Sequence, residues 1–205
     1  IKRRMGNPKS IASYEFAKII YGDNNILAYS NSGTEDSVES ITLTDLQDYY
    51  NKYLSPQLAK MFVVGSISQD KVIEALKTMD SNWESKEVEI PELPLAKVPD
   101  ASKVYFYDVP GAKQSVIRFG YPALKATDEN YYASTVMNYR LGGGGFASQL
   151  TQQLREGKGY TYGIRSGFSG SNYTGEFTIS SGVRTNVTFE SADLVKEILE
   201  NYGKN

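Results

Sequence analysis

The stretch Leu141–Tyr162 reads LGGGGFASQLTQQLREGKGYTY. Gly142–Gly145 break the helix that precedes them, because glycine gives up more backbone freedom in a helix than any other residue. A second helix follows, with Phe146, Leu150, Gln153 and Leu154 predicted on one face from their helical spacing. Gly157 closes it. Tyr160, Tyr162 and Ile164 then alternate as on a strand, and Glu176–Val183 is the expected antiparallel partner.

The flanking sequence repeats this alternation of helix and strand pair. Lys103–Val109 and Gln114–Ala123 are predicted strands around a Pro110-Gly111 turn. Thr127 is expected to cap a helix carrying Tyr132, Val136 and Tyr139, and a last helix buries Ala192, Val195, Ile198 and Leu199 before Gly203. Near the start, Asn7-Pro8 opens a helix with Ala12, Phe16, Ile19 and Ile20 on one face and Gly22 at its end. Residues 23–41 are polar and turn-rich, which predicts an extended surface segment. Thr44-x-x-Gln47 has the spacing of a capping box. It precedes a stripe of Leu46, Tyr50, Tyr53 and Leu54 that Ser55-Pro56 stops. Lys60–Gly65 is predicted as a strand buried on both faces, and Ser68 as the cap of a helix facing inward through Val72, Ile73, Leu76 and Met79. Glu84–Asp100 carries three prolines among alternating charges, a composition that resists helix and central strand and suits a linker. The expected division is therefore 1–84, a linker at 85–100, and 101–205. Strand pairs joined by short turns favour an α+β fold, with mixed or antiparallel sheets and helices on one face.

Composition narrows the functions. Hydrophobic residues make up 40% and charged residues 22%, a globular balance, and the net charge of −2 supplies no basic footprint for nucleic acid. No apolar run reaches the length of a membrane span. Sixteen tyrosines against eight phenylalanines suit half-buried strands and cleft walls, since the ring packs while the hydroxyl stays wet. The chain has neither histidine nor cysteine, so the usual zinc sites and Ser-His or Cys-His nucleophiles cannot be built from it. Glu15, Glu35 and Glu39 read as solvated charges, and no calcium-loop spacing is present. Lys2-Arg3-Arg4 reads as a solvated helix face, and Ile1 is not a start residue, so further chain is expected upstream.

Three functional readings compete for Leu141–Ile164. A phosphate loop needs Lys-Ser/Thr directly after its last glycine, but Phe146-Ala147 follows Gly145, and position 152 is glutamine where a loop ending at Gly157-Lys158 requires glycine. Nucleotide binding is therefore rejected. A purely structural reading makes the glycines a close-packing turn and Arg155 a cation on the last helical carbonyls. The third rests on likeness: Leu141-Gly142-Gly143-Gly144, Ser148, Leu150, Leu154-Arg155-Glu156, Gly159 and Tyr162 closely resemble the signature of the second homologous domain of pitrilysin/insulinase-family zinc metallopeptidases. The arginine–tyrosine spacing of seven residues matches Tyr162 rather than Tyr160. Asn7-Pro8 through Tyr21-Gly22, Gly33–Ser37, Ile41–Leu46, Tyr53-x-x-Pro56, Val63–Gly65, Trp83 and Gln114 resemble further segments of that family, so nearly the whole chain is covered.

The resemblance implies two partial lobes of a duplicated metallopeptidase domain: the end of the first, zinc-type domain in 1–84 and the start of the second in 101–205. It further implies that an inverted His-x-x-Glu-His motif and a later glutamate hold zinc upstream of Ile1 in the parent protein, with none bound by this chain. The two domains would close on an extended peptide or unfolded polypeptide. Arg155 would donate to a substrate carbonyl, Tyr162 would hydrogen-bond the carbonyl oxygen as charge develops, and Gly142, Gly143 and Gly144 would form a cleft-side turn. The parent is then a zinc endopeptidase. The alternative is a non-catalytic partner or scaffold subunit that lends the Arg/Tyr pair to a separate zinc-bearing chain, which leaves homo- and heterodimers open. Bacterial periplasm and cytoplasm fit equally well.

Overall fold

Ser171 closes the tightest turn of the sheet. Its Oγ accepts from the Tyr173 and Thr174 amides at 3.1 and 3.2 Å, and its own amide donates to the Thr174 carbonyl at 2.8 Å. That turn joins β2 (Thr161–Gly170) to β3 (Gly175–Arg184), and β1 (Gln114–Ala123) lies along the other side of β3. Among the described residues of this computed structural model, residue 1 and residues 6–204, the sheet runs β1-β3-β2 with both pairings antiparallel. The run Lys2-Arg3-Arg4 lies outside the described residues. The fold is α+β, as the sequence predicts.

The chain divides into two compact units, Ile1–Thr34 with Leu93–Asn205, and Glu35–Glu92. In the first, β3 alternates strictly: Phe177, Ile179, Ser181 and Val183 are buried while their neighbours face away. Ile117, Ile164, Leu150, Leu154, Val195 and Ile198 close the core over that face. Val195 and Ile198 come from α7 (Thr188–Tyr202), which carries the expected stripe. On the opposite side of β1, α1 (Pro8–Tyr21) lays Phe16 against Gly120. A methyl on Gly120 would stand 2.5 Å from that ring. The Asn7 side chain accepts from the Lys9 amide at 2.9 Å to cap α1, and Gly22 ends it at φ 73°. Ile20 is buried, whereas Ile19 turns outward from the predicted face.

The second unit holds α2 (Glu35–Ser40), α3 (Leu43–Tyr53) and α4 (Gln69–Asn82). The cap of α3 is not the predicted Thr44/Gln47 pair. Thr42 and Asp45 form the box, with the Thr42 amide donating to Asp45 at 2.8 Å and the Asp45 amide to Thr42 at 3.2 Å. Of the predicted stripe, Leu46, Tyr50 and Leu54 are exposed and Tyr53 is half-buried. Ser68 precedes α4 without a side-chain cap bond, and Ile73 and Met79 are exposed.

Two predicted strands form no ladder: Lys60–Gly65, where Phe62 and Val64 are 87% and 99% exposed, and Lys103–Val109, where Val104 is 97% exposed. A strand exists only against a second backbone, and no described segment supplies one here. The Pro110-Gly111 turn does form, with the Ala112 amide donating to the Val109 carbonyl at 3.1 Å. Residues 84–100 contain neither helix nor strand.

Candidate functional site

The site is built where one helix stops, a glycine turn crosses the core, and a second helix hands the chain to β2. The first helix, α5 (Tyr131–Asn138), is preceded by Asn130 rather than capped by Thr127. It turns Tyr132, Val136 and Tyr139 outward, contrary to the predicted stripe. The inward position is taken by Asn138, which is buried and donates its Nδ2 to the Ser166 carbonyl at 2.9 Å, while the Ser166 hydroxyl donates back to its Oδ1. A polar pair thus docks α5 on β2 where an apolar stripe is predicted.

A tight turn with π-type bonding, Tyr139–Gly143, follows, and here the glycines are dictated by distance. A methyl on Gly142 would stand 2.3 Å from Ser166 Oγ and 2.7 Å from its amide nitrogen, and one on Gly144 would stand 2.6 Å from the Tyr139 carbonyl oxygen. A methyl on Gly143 would meet Asn138 Nδ2 at 2.9 Å. The next helix, α6 (Gln149–Thr151), continues with π-type bonding through Gln152–Gly157. Leu150 and Leu154 are fully buried, but Phe146 and Gln153, predicted beside them, are exposed. Phe146 lies in a separate short turn ahead of the helix. Ser148 and Thr151 are buried, joined at 3.0 Å, and Thr151 donates to the Ile164 carbonyl at 3.3 Å, which ties α6 to β2.

Arg155 sits at the end of this helix. Its guanidinium lies over the Phe146 ring, 4.4 Å from the centroid, and its Nε faces Glu156 Oε1 at 3.3 Å. The outward Phe146 is therefore the platform of Arg155, a pairing nine residues apart that no local spacing rule announces. Gly159, at φ 62°, then reverses the chain, its amide donating to the Arg155 carbonyl at 3.0 Å and that of Tyr160 to the Leu154 carbonyl at 2.9 Å. Three residues after this turn comes Tyr162, 85% exposed. The predicted alternation placed it on the same face as Ile164, yet Ile164 is only 1% exposed. The reason is a β-bulge: pairing passes from Thr161 opposite Val183 to Ile164 opposite Ser181, so Tyr162 and Gly163 together oppose Gly182. One extra residue shifts the side-chain alternation by one position. Arg155 and Tyr162 thus project from two elements whose inward residues, Leu154, Thr161 and Ile164, are locked in the core.

No group of three Asp or Glu side chains that could hold a metal ion exists among the described residues. Zinc favours histidine or cysteine donors, and the chain has neither, so a zinc centre does not fit the residues present. No helix among the described residues is long and apolar enough to cross a membrane.

The fold and this turn–helix–strand arrangement define an α+β protein with a three-stranded antiparallel sheet. The chain belongs to the peptidase M16 family, whose inactive domain, described as "Peptidase M16 inactive domain", matches residues 40–205. It is 28% identical over 203 residues to a Bacillus subtilis protein named "Uncharacterized zinc protease YmxG", covering 97% of this chain and 47% of that one. A Helicobacter pylori protein named "Non-peptidase homolog YmxG" is 29% identical over 185 residues, covering 87% and 41%. The crystal structure of a peptidase M16 inactive domain from Pseudomonas fluorescens superposes with a TM-score of 0.86 at 27% identity, covering all of this chain and 48% of that one. The chain thus spans about half the length of the relatives it matches.

Proposed function

We propose that this chain is the substrate-gripping part of a zinc endopeptidase whose metal is held by residues upstream of Ile1. In this proposal residues 1–84 complete the first, zinc-type domain, 85–100 link the two, and 101–205 begin the second. Arg155 donates to a carbonyl of an extended peptide. Tyr162 donates to the carbonyl oxygen that becomes negative during attack, and the Gly142–Gly144 turn borders the cleft. The observation that carries it is the exposure of Tyr162 beside a rigid base: an 85% exposed phenol on a bulge whose flanking residues are buried. Preorganised donors of this kind act because they need no reordering as charge develops.

A second proposal is favoured by the Helicobacter pylori relative, which carries the name of a non-peptidase homologue. There the parent protein is a partner subunit, and the Arg155/Tyr162 pair serves a separate zinc-bearing chain.

The test is made on the full-length protein. Metal analysis is expected to find one zinc per chain, and the protein to cleave unfolded polypeptides. Arg155→Ala and Tyr162→Phe should each lower turnover by about a hundredfold without shifting the thermal midpoint. Absence of zinc and of cleavage selects the partner-subunit proposal, whereas zinc-dependent cleavage unchanged in both variants removes the roles assigned to Arg155 and Tyr162.

A further inference from the structure

A bulge leaves the backbone groups of its extra residue without ladder partners, and here those of Gly163 find side-chain partners instead. Two buried hydroxyls stand at this bulge. Thr161 Oγ1 lies 2.7 Å from the Gly182 carbonyl oxygen, 2.9 Å from that of Gly163, and 3.0 Å from the Gly163 amide nitrogen. Ser181 Oγ lies 3.0 Å from the Gly163 carbonyl oxygen and 2.9 Å from Thr161 Oγ1. Each hydroxyl has one proton to give. One arrangement satisfies every group at once. Thr161 donates to the Gly182 carbonyl and accepts from the Gly163 amide, while Ser181 donates to the Gly163 carbonyl. Both polar groups of Gly163, the residue directly after Tyr162, are then fixed from the core side. Thr161 and Ser181 are 8% and 4% exposed, so their own hydroxyls are shielded from water.

The geometry points to Thr161 and Ser181 as positioning residues for Tyr162, acting through the bulge rather than on any ligand; this rests on the role proposed above for Tyr162. Were the pairing regular outward from Ile164 opposite Ser181, Gly163 would face Gly182 and Tyr162 would face Val183. Tyr162 would then share the face of Ile164 and point into the core, because a shift of one residue reverses every side chain. The two hydroxyls favour the bulged register over the regular one. They thereby hold the Tyr162 phenol outward, three residues past the Gly159 turn that follows the Arg155 helix.

The experiment places a fluorotyrosine at position 162 of the full-length protein and follows it by fluorine NMR. One narrow line is expected for the parent sequence. Thr161→Val keeps the shape but removes the hydroxyl, and should shift or split the line, as should Ser181→Ala. Thr161→Ser restores the hydroxyl and should restore the line. Ile20→Ala, at a buried position of α1 outside the core cluster that holds Ile164, should leave the line in place, and this separates positioning from general destabilisation. With a peptide substrate, Thr161→Val is expected to lower kcat about tenfold with KM nearly unchanged. An unaltered line in both Thr161→Val and Ser181→Ala overturns the assignment, and should Thr161→Val not fold, Ser181→Ala decides alone. If the lines move as expected while Tyr162→Phe leaves turnover intact, the positioning holds and the role proposed for Tyr162 falls.

Discussion

At the scale of single residues, the site depends on atoms that are missing. Gly142 has no Cβ because Ser166 occupies that space with both its hydroxyl and its amide. Gly142→Ala therefore pushes against backbone as well as side chain, and overpacking of that kind costs about 1–3 kcal/mol. Chemical denaturation should report a loss in that range, whereas Gly163→Ala, with nothing within 4 Å of the added methyl, should lose less. The glycine run was visible in the sequence, and so was the Arg155–Tyr162 spacing. Thr161, Ser181, Asn138 and Ser166 were not. Each acts through a hydrogen bond to a partner 20 or 28 residues away, and no periodicity marks such a bond.

Elements were legible where the fold itself supplied their partner. β1 and β3 lie where hydrophobic alternation puts them, and the inward stripe of α7 holds at Val195 and Ile198 because the sheet covers both. α5 buries a different face from the one its apolar spacing predicts, since the buried Asn138 takes the docking role expected of apolar side chains. The joint between α1 and β3 offers a test at this scale. The Tyr21 hydroxyl donates to Glu176 at 3.1 Å. Burial first, then the charge and hydrogen bond of Glu176, push its pKa up to about 12. A phenol held protonated in the fold stabilises it fully below its unfolded pKa of about 10. That contribution is lost as pH rises toward about 12. Denaturant midpoints of the parent should fall across that window, and those of Tyr21→Phe should start lower and fall less. Some slope should persist in the variant, because the Glu15 hydrogen bond raises Tyr107 and burial raises Tyr121.

For the whole molecule, composition set the class and the family signature set the fold, but neither could say which predicted strands would find neighbours. Lys60–Gly65 and Lys103–Val109 have the residues of strands and lack the backbone beside them. The same property has a consequence for the chain in a test tube. Residues 61–67 are seven in number, uncharged, free of proline and exposed throughout, the description of a segment that seeds cross-β stacking between copies. Isolated from other polypeptide, the chain is expected to bind thioflavin T and scatter light as concentration rises. Val64→Lys, a charge at the 99% exposed position, should suppress both while leaving the helical circular-dichroism signal unchanged. The segment is then a fragment of sheet that any strand can complete, including the wrong one.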